Sequence, residues 1–112
     1  MNTTVTDNAR ESRYEIRFDG ARAGFAEYHL HAGVVAFIHT EISPQFGRRG
    51  LASELIRAAL DSARTRGLQV QPFCPFVRGF IAKHPDYRDL VPSAEWERFG
   101  LGLVTSARSR TC

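Results

Sequence analysis

Lysine is almost missing from this chain: Lys83 is the sole lysine among the 15 basic residues in its 112. The formal net charge of +3 therefore rests on arginine, whose planar fork grips phosphate and carboxylate. The arginines are spread along the chain rather than gathered on one face, which argues against nucleic acid as the partner. Cysteine is scarce as well. Cys74 and Cys112 have neither the number nor the spacing of a disulfide framework or a metal site, so no metal is expected. No stretch approaches the roughly 18 apolar residues that span a bilayer, so no membrane partner is expected. Residues 1–12 hold no apolar run of the secretory type, and the expected location is the cytoplasm. No repeat and no linker divides the chain, and its length suits one domain.

What is present is a change of period. Residues 1–12 are polar and read as a disordered N-terminus. From Arg13 the side chains alternate: Tyr14, Ile16 and Phe18 fall on one face, Glu15 and Arg17 on the other. Asp19-Gly20 predicts a tight hairpin turn into a second strand over 21–30, with Gly24 as a bulge or a close approach. Ala32-Gly33 turns the chain into a third, more apolar strand over 34–42. Ser43-Pro44 breaks that strand, and Leu51, Leu55, Ala58, Ala59, Ser62 and Ala63 recur at helical spacing. A helix over 50–66, a short strand over 68–71 and a second helix over 75–83 are predicted. The domain is taken to run over 13–104, with Trp96 and Phe99 docking a short segment on the core and 105–112 a frayed tail. The order describes an α/β fold, a mixed and mostly antiparallel sheet with flanking helices on one or both faces.

The chemistry concentrates at Gly47-Arg48-Arg49-Gly50-Leu51-Ala52. Two glycines let backbone approach a ligand, two arginines add charge, and the helix behind them presents N–H groups and a positive dipole end. A pyrophosphate suits such a loop, and so does a plain solvated turn. The loop has neither the Lys-Ser/Thr ending of a P-loop nor the Gly-x-Gly-x-x-Gly order of a dinucleotide fold, so nucleotide hydrolysis and NAD binding are disfavoured.

Strand, proline, arginine-glycine loop and amphipathic helix, in that order, resemble the pyrophosphate arm of the GNAT acetyltransferase superfamily. That arm reads Gln/Arg-x-x-Gly-x-Gly/Ala. Gly50 and Ala52 fill the last two fixed positions, Gly47 stands where the superfamily has Gln or Arg, and Arg48 falls one residue late. A closer resemblance is to a small single-domain branch. It is carried by His39-Thr40-Glu41-Ile42, Cys74-Pro75-Phe76 and His84-Pro85-Asp86-Tyr87, within a match from about Tyr14 to Val91. The resemblance implies a minimal GNAT-like fold and an N-acetyltransferase that moves an acetyl group from acetyl-CoA to an unidentified amine. It also implies that backbone at Glu41–Ser43, hence Ile42 and Ser43, meets pantetheine, and that Arg48–Ala52 hold the pyrophosphate. Phe76 and His84, from two of the motifs, join Gly47, Arg48, Arg49, Gly50, Leu51 and Ala52 as cofactor-binding candidates. The alternative is a CoA-binding module with little activity that acts through a partner protein. The branch lacks the extra acceptor-side helices of larger relatives, so that side is open or completed by a partner, for instance a second copy.

Amine acetylation needs a base and donors for the oxyanion. The catalytic candidates are Cys74, His39, Glu41 and Tyr87. His39 and Glu41 share a strand face; either is a candidate base, and both also read as surface polar groups. Cys74, expected at the N-cap of the second helix, is either an activated thiol or a small buried hydrophobe. Tyr87 either protonates the leaving thiolate, as the resemblance implies, or packs as an aromatic. Phe73, Phe76, Phe80 and Trp96 read as core aromatics rather than a nucleic-acid stacking platform.

Overall fold

The computed structural model describes residues 2–47 and 50–101. Five strands, β1 (Thr3–Asn8), β2 (Arg13–Phe18), β3 (Ala21–His31), β4 (Val34–Ile42) and β5 (Gln69–Pro72), form one sheet in sequence order. The first four run as an antiparallel meander and β5 joins β4 in parallel. Helix α1 (Leu51–Thr65) is the crossover to β5, and α2 (Pro75–Lys83) follows β5 directly. Residues 85–90 and 93–95 add 3₁₀ turns, and Trp96 donates its indole N–H to Val91 O at 2.8 Å.

The N-terminus departs from expectation. Thr3–Asn8 is not loose but an edge strand, paired with β2 from Thr3↔Phe18 to Asn8↔Arg13. Its polar side chains are held by partners distant in sequence: Tyr28 donates to Asp7 at 2.5 Å, Arg66 reaches Asp7 at 3.3 Å, and Thr3 bonds Glu54 of α1. Val5 packs against the core. The predicted tail over 105–112 lies outside the described residues.

Both helices lie on one face of the sheet. Leu51, Leu55, Ile56, Ala59, Leu60 and Ala63 of α1 form one buried cluster with Tyr14, Ile16, Ala26, Val35, Phe37 and Val70 of the strands. Val77, Phe80 and Ile81 of α2 complete it, and the Arg57 guanidinium of α1 sits 5.3 Å from the Phe80 ring. The opposite face carries Glu15, Phe25, His39 and Glu41. Glu15 is buried there beneath Arg13, at 2.8 Å, and Arg22, at 3.5 Å. Burial pushes its carboxyl up, but bonds from Arg13 and Asn8 and the charges of Arg13 and Arg22 outweigh burial and leave it below its ordinary value.

One irregularity positions everything that follows. Tyr28 pairs with Phe37 and Glu27 with His39, so Ile38 is an extra residue in β4. The bulge reverses the alternation. Val35 and Phe37 point into the core, but beyond Ile38 it is Thr40 and Ile42 that turn to the helix side, while His39 and Glu41 turn out. Gly24, opposite Ile42, is the close approach expected: a Cβ there would lie 2.3 Å from Glu41 O.

Candidate functional site

The two parallel strands part company half-way. β5 pairs with β4 only from Val34↔Gln69 to Phe37↔Pro72. Pro72 has no N–H to continue the ladder. The last rung comes from Cys74, whose N–H donates to Phe37 O at 2.9 Å before Pro75 opens α2. Strand β4 runs on through Ile42 with β3 on one side and a notch on the other. Ser43 N–H donates to Ala23 O at 2.8 Å, which sets the alternation: Glu41 and His39 exchange bonds with β3, and the peptide groups of Thr40 and Ile42 face the notch.

The notch leads into a groove of two lobes. One, of about 270 Å³, is lined by Ile42, Phe46, Gly47, Gly50 and the Leu51–Ser53 turn, with Phe76 opposite. Gly50 is the N-cap of α1 with φ 72°, left-handed backbone that glycine adopts without strain, and among the described residues no side chain caps the helix. The helical ladder starts at Glu54 N–H to Gly50 O, 3.1 Å. The N–H groups of Leu51, Ala52 and Ser53 precede it and carry the positive end of the helix dipole. The second lobe, of about 200 Å³, lies between α1 and α2 and shares Ser53 and Phe76 with the first. His84 and Lys83 stand at its far side.

The catalytic candidates are not all together. His39 Nε2 and Glu41 Oε2 are 2.9 Å apart and exposed, on the outer face beside the notch. Cys74 is buried at the N-cap of α2, its Sγ 3.3 Å from Thr40 Oγ1, on the opposite face. Tyr87 lies elsewhere: its hydroxyl donates to Asp61 at 2.8 Å and accepts from Arg57 at 3.4 Å, both on α1. Burial and the bond to Asp61 push its phenol above the ordinary value. These bonds tie the Tyr87 hydroxyl to α1.

Most of the cofactor candidates line the groove. Ile42, Gly47, Gly50, Leu51, Ala52 and Phe76 line one lobe and His84 the next. Ser43 is the exception, because its N–H is already bonded to Ala23. Arg48 and Arg49 lie outside the described residues. Phe73 and Phe76 are not core aromatics but 38% and 40% exposed; Phe73 stacks edge-on with Phe99 at 5.3 Å. Thr40, Ser53 and Gly79 are not among the site residues that the sequence marks, and Lys83 stands out there only as the sole lysine. Thr40 lies inside a motif already singled out and Ser53 in the first helical turn, whereas nothing local marks Gly79. Among the described residues no group of three His, Cys, Asp or Glu is placed to hold a metal, and no helix is long and apolar enough to cross a membrane.

Comparison with known proteins decides the family. The model of the GCN5-related N-acetyltransferases matches residues 13–90, from the first residue of β2 to the end of the 3₁₀ turn after α2. The chain belongs to that family.

Its small size within the GNAT fold is shared. Protein NATD1 of Bos taurus is 26% identical over 83 residues, which cover 72% of this chain and 74% of that protein. A GCN5-like putative N-acetyltransferase from Staphylococcus aureus superposes with a TM-score of 0.62 at 20% identity, over 80% of this chain and 87% of that one. The ribosomal-protein-S18-alanine N-acetyltransferase of Escherichia coli gives a TM-score of 0.50 at 20% identity, over 52% of this chain. The chain spans only 38% of the length of that larger enzyme. At these identities the likeness is one of fold.

Proposed function

We propose that this GNAT domain is an acetyl-CoA-dependent N-acetyltransferase whose cofactor enters the groove and presents its thioester at the notch between β4 and α2. The observation that carries the reading is the continuity of two features: peptide groups of Thr40 and Ile42 turned to an edge unpaired among the described residues, and, at the end of the same groove, a helix N-terminus that no described side chain caps. The residues present suit the cofactor's chemistry. Strand-edge N–H and C=O groups match the amides of pantetheine, and the N–H groups of Leu51, Ala52 and Ser53 match a pyrophosphate.

When bound, acetyl-CoA supplies an acyl carbon activated by its thiolate leaving group. The helices fill one face of the sheet, so the acceptor amine approaches from the other, where His39 and Glu41 stand. An alkylammonium has no lone pair. His39, oriented by Glu41, would take its proton, directly or through one water, and leave a neutral amine with a free lone pair. A backbone N–H at the open edge of β4 would be available to a carbonyl oxygen held at the notch. Cys74, buried and bonded to Thr40, forms the inner wall, and transfer is direct.

Calorimetric titration with acetyl-CoA and CoA tests the reading, beside an Ala52→Glu variant that sets a carboxylate at the helix N-terminus. Micromolar binding, weakened at least tenfold in the variant, is expected. Absence of binding at millimolar ligand contradicts it. The engagement of Tyr87 with Asp61, away from the groove, favours a second reading: a CoA-binding module with slow turnover. A screen of amine acceptors for thiol release separates the two, with turnover lost in His39→Ala supporting the enzyme.

A further inference from the structure

Three features of the α1–α2 lobe have no explanation in the packing of the chain itself. Gly79 lies in the interior of α2, where glycine costs about 1 kcal/mol relative to alanine. Yet a Cβ at Gly79 would meet nothing within 4 Å, so no neighbour requires its absence. Phe76 leaves 40% of its surface in the groove. Lys83, the sole lysine, is exposed beside His84, and among the described residues its ammonium has neither an ion pair nor a hydrogen bond. His84 itself is held in place, its ring 4.3 Å from that of Phe80 and its N–H bonded to Phe80 O at 3.0 Å.

All three line one space of about 200 Å³ that opens, past Ser53, into the lobe at the α1 N-terminus. A flat aromatic group fits against Phe76 where Gly79 leaves the helix surface bare, and an unpaired ammonium beside an imidazole suits a terminal phosphate. The pyrophosphate lobe fixes the direction. What extends beyond a pyrophosphate in CoA is an adenosine that carries a 3′-phosphate.

We propose that the α1–α2 lobe seats the adenosine 3′-phosphate end of the cofactor, with Gly79 making room for the base and Lys83, beside His84, taking the 3′-phosphate. The chain then discriminates CoA from dephospho-CoA through Lys83. This rests on the acetyl-CoA reading above and adds a specificity determinant to it.

The test is a set of titrations with CoA, dephospho-CoA and 4′-phosphopantetheine against the whole chain and two variants. The unaltered protein should bind CoA about tenfold or more tightly than dephospho-CoA. Lys83→Met should bring CoA down to the dephospho-CoA level and leave dephospho-CoA within about twofold. Gly79→Leu, a better helix former whose Cβ clashes with nothing, should weaken both nucleotide ligands tenfold and spare 4′-phosphopantetheine. Equal affinity of the unaltered protein for CoA and dephospho-CoA overturns the assignment while the acetyl-CoA reading stands. So does a Lys83→Met variant that loses both ligands alike. If none of the three ligands binds, the acetyl-CoA reading fails and this inference with it.

Discussion

Strand β4 is two structures in one. Its first half, Val34–Phe37, is paired on both edges, and Val35 and Phe37 are buried. Its second half, past the bulge at Ile38, is paired on one edge only, with Ile38, His39 and Glu41 exposed and Thr40 and Ile42 half-buried. The same strand thus holds the core together and then, past one bulge and one proline, becomes a wall of the site. The first half is a matter of volume and burial. The second is a matter of which peptide groups have been left to a ligand. Substitutions in the two halves should therefore separate stability from binding.

Phe37→Ala should have the largest effect. It removes a fully buried ring between β3 and β5 and should cost about 3–5 kcal/mol, read as a lower denaturant midpoint with unchanged slope. Thr40→Val, three residues on, should cost less than about 1 kcal/mol, because it loses one bond to Cys74 and keeps the shape. Equal losses would erase the distinction between the halves.

Gly24→Ala lies between these extremes and touches both properties. The added methyl meets Glu41 O and Ile42 Cδ1 at 2.3 and 2.5 Å, so β4 must shift. A cost of about 1–3 kcal/mol is expected, together with weaker acetyl-CoA binding, since the displaced residues are those beside the notch. Denaturant titration and calorimetry on the same variant check the pair.

Ala52→Glu should sharpen the contrast by acting in opposite directions. An acid in the first turn favours the helix dipole by about 0.3–1 kcal/mol, while the same charge repels a pyrophosphate. A variant that is as stable as the parent but at least tenfold weaker for CoA is the expected outcome.

The smallest effect belongs to the outer face, and it depends on pH. Glu15 titrates below its ordinary value when folded, so its contribution is complete above the unfolded carboxyl range. That contribution is lost as the pH falls through the depressed folded value. Glu15→Gln should flatten the acid limb of a stability-against-pH curve, leaving CoA affinity at neutral pH within about twofold. An unchanged acid limb would contradict the role given to Arg13 and Arg22.

Much of this architecture is legible in the residues. Hydrophobic recurrence in α1, alternation in β2 and the Asp19-Gly20 and Ala32-Gly33 turns mark elements that form through neighbours in sequence. The loop before α1 is legible for the same reason, since glycines and a helix start are local features. Strand β1 is not. Its side chains, Val5 apart, are polar, and what holds them is Tyr28, Glu54 and Arg66, between 21 and 59 residues away. The bulge at Ile38 is equally hidden, because His39-Thr40-Glu41 alternates just as an unbulged strand would. Only the register with β3 reveals that Thr40 faces Cys74 and that His39 and Glu41 face away. The partner of Tyr87 is hidden for a related cause: a proline turn carries its hydroxyl to Asp61, and no local pattern encodes a partner 26 residues distant.

Amide chemical shifts during a titration with acetyl-CoA test the central claim most directly, because they report each half of β4 residue by residue. The account predicts that the N–H signals of Thr40, Ile42, Leu51, Ala52 and Ser53 move together with one affinity, while those of Val35 and Phe37 stay in place. Shifts confined to the outer face around Glu15 and Phe25, or none anywhere, would contradict it.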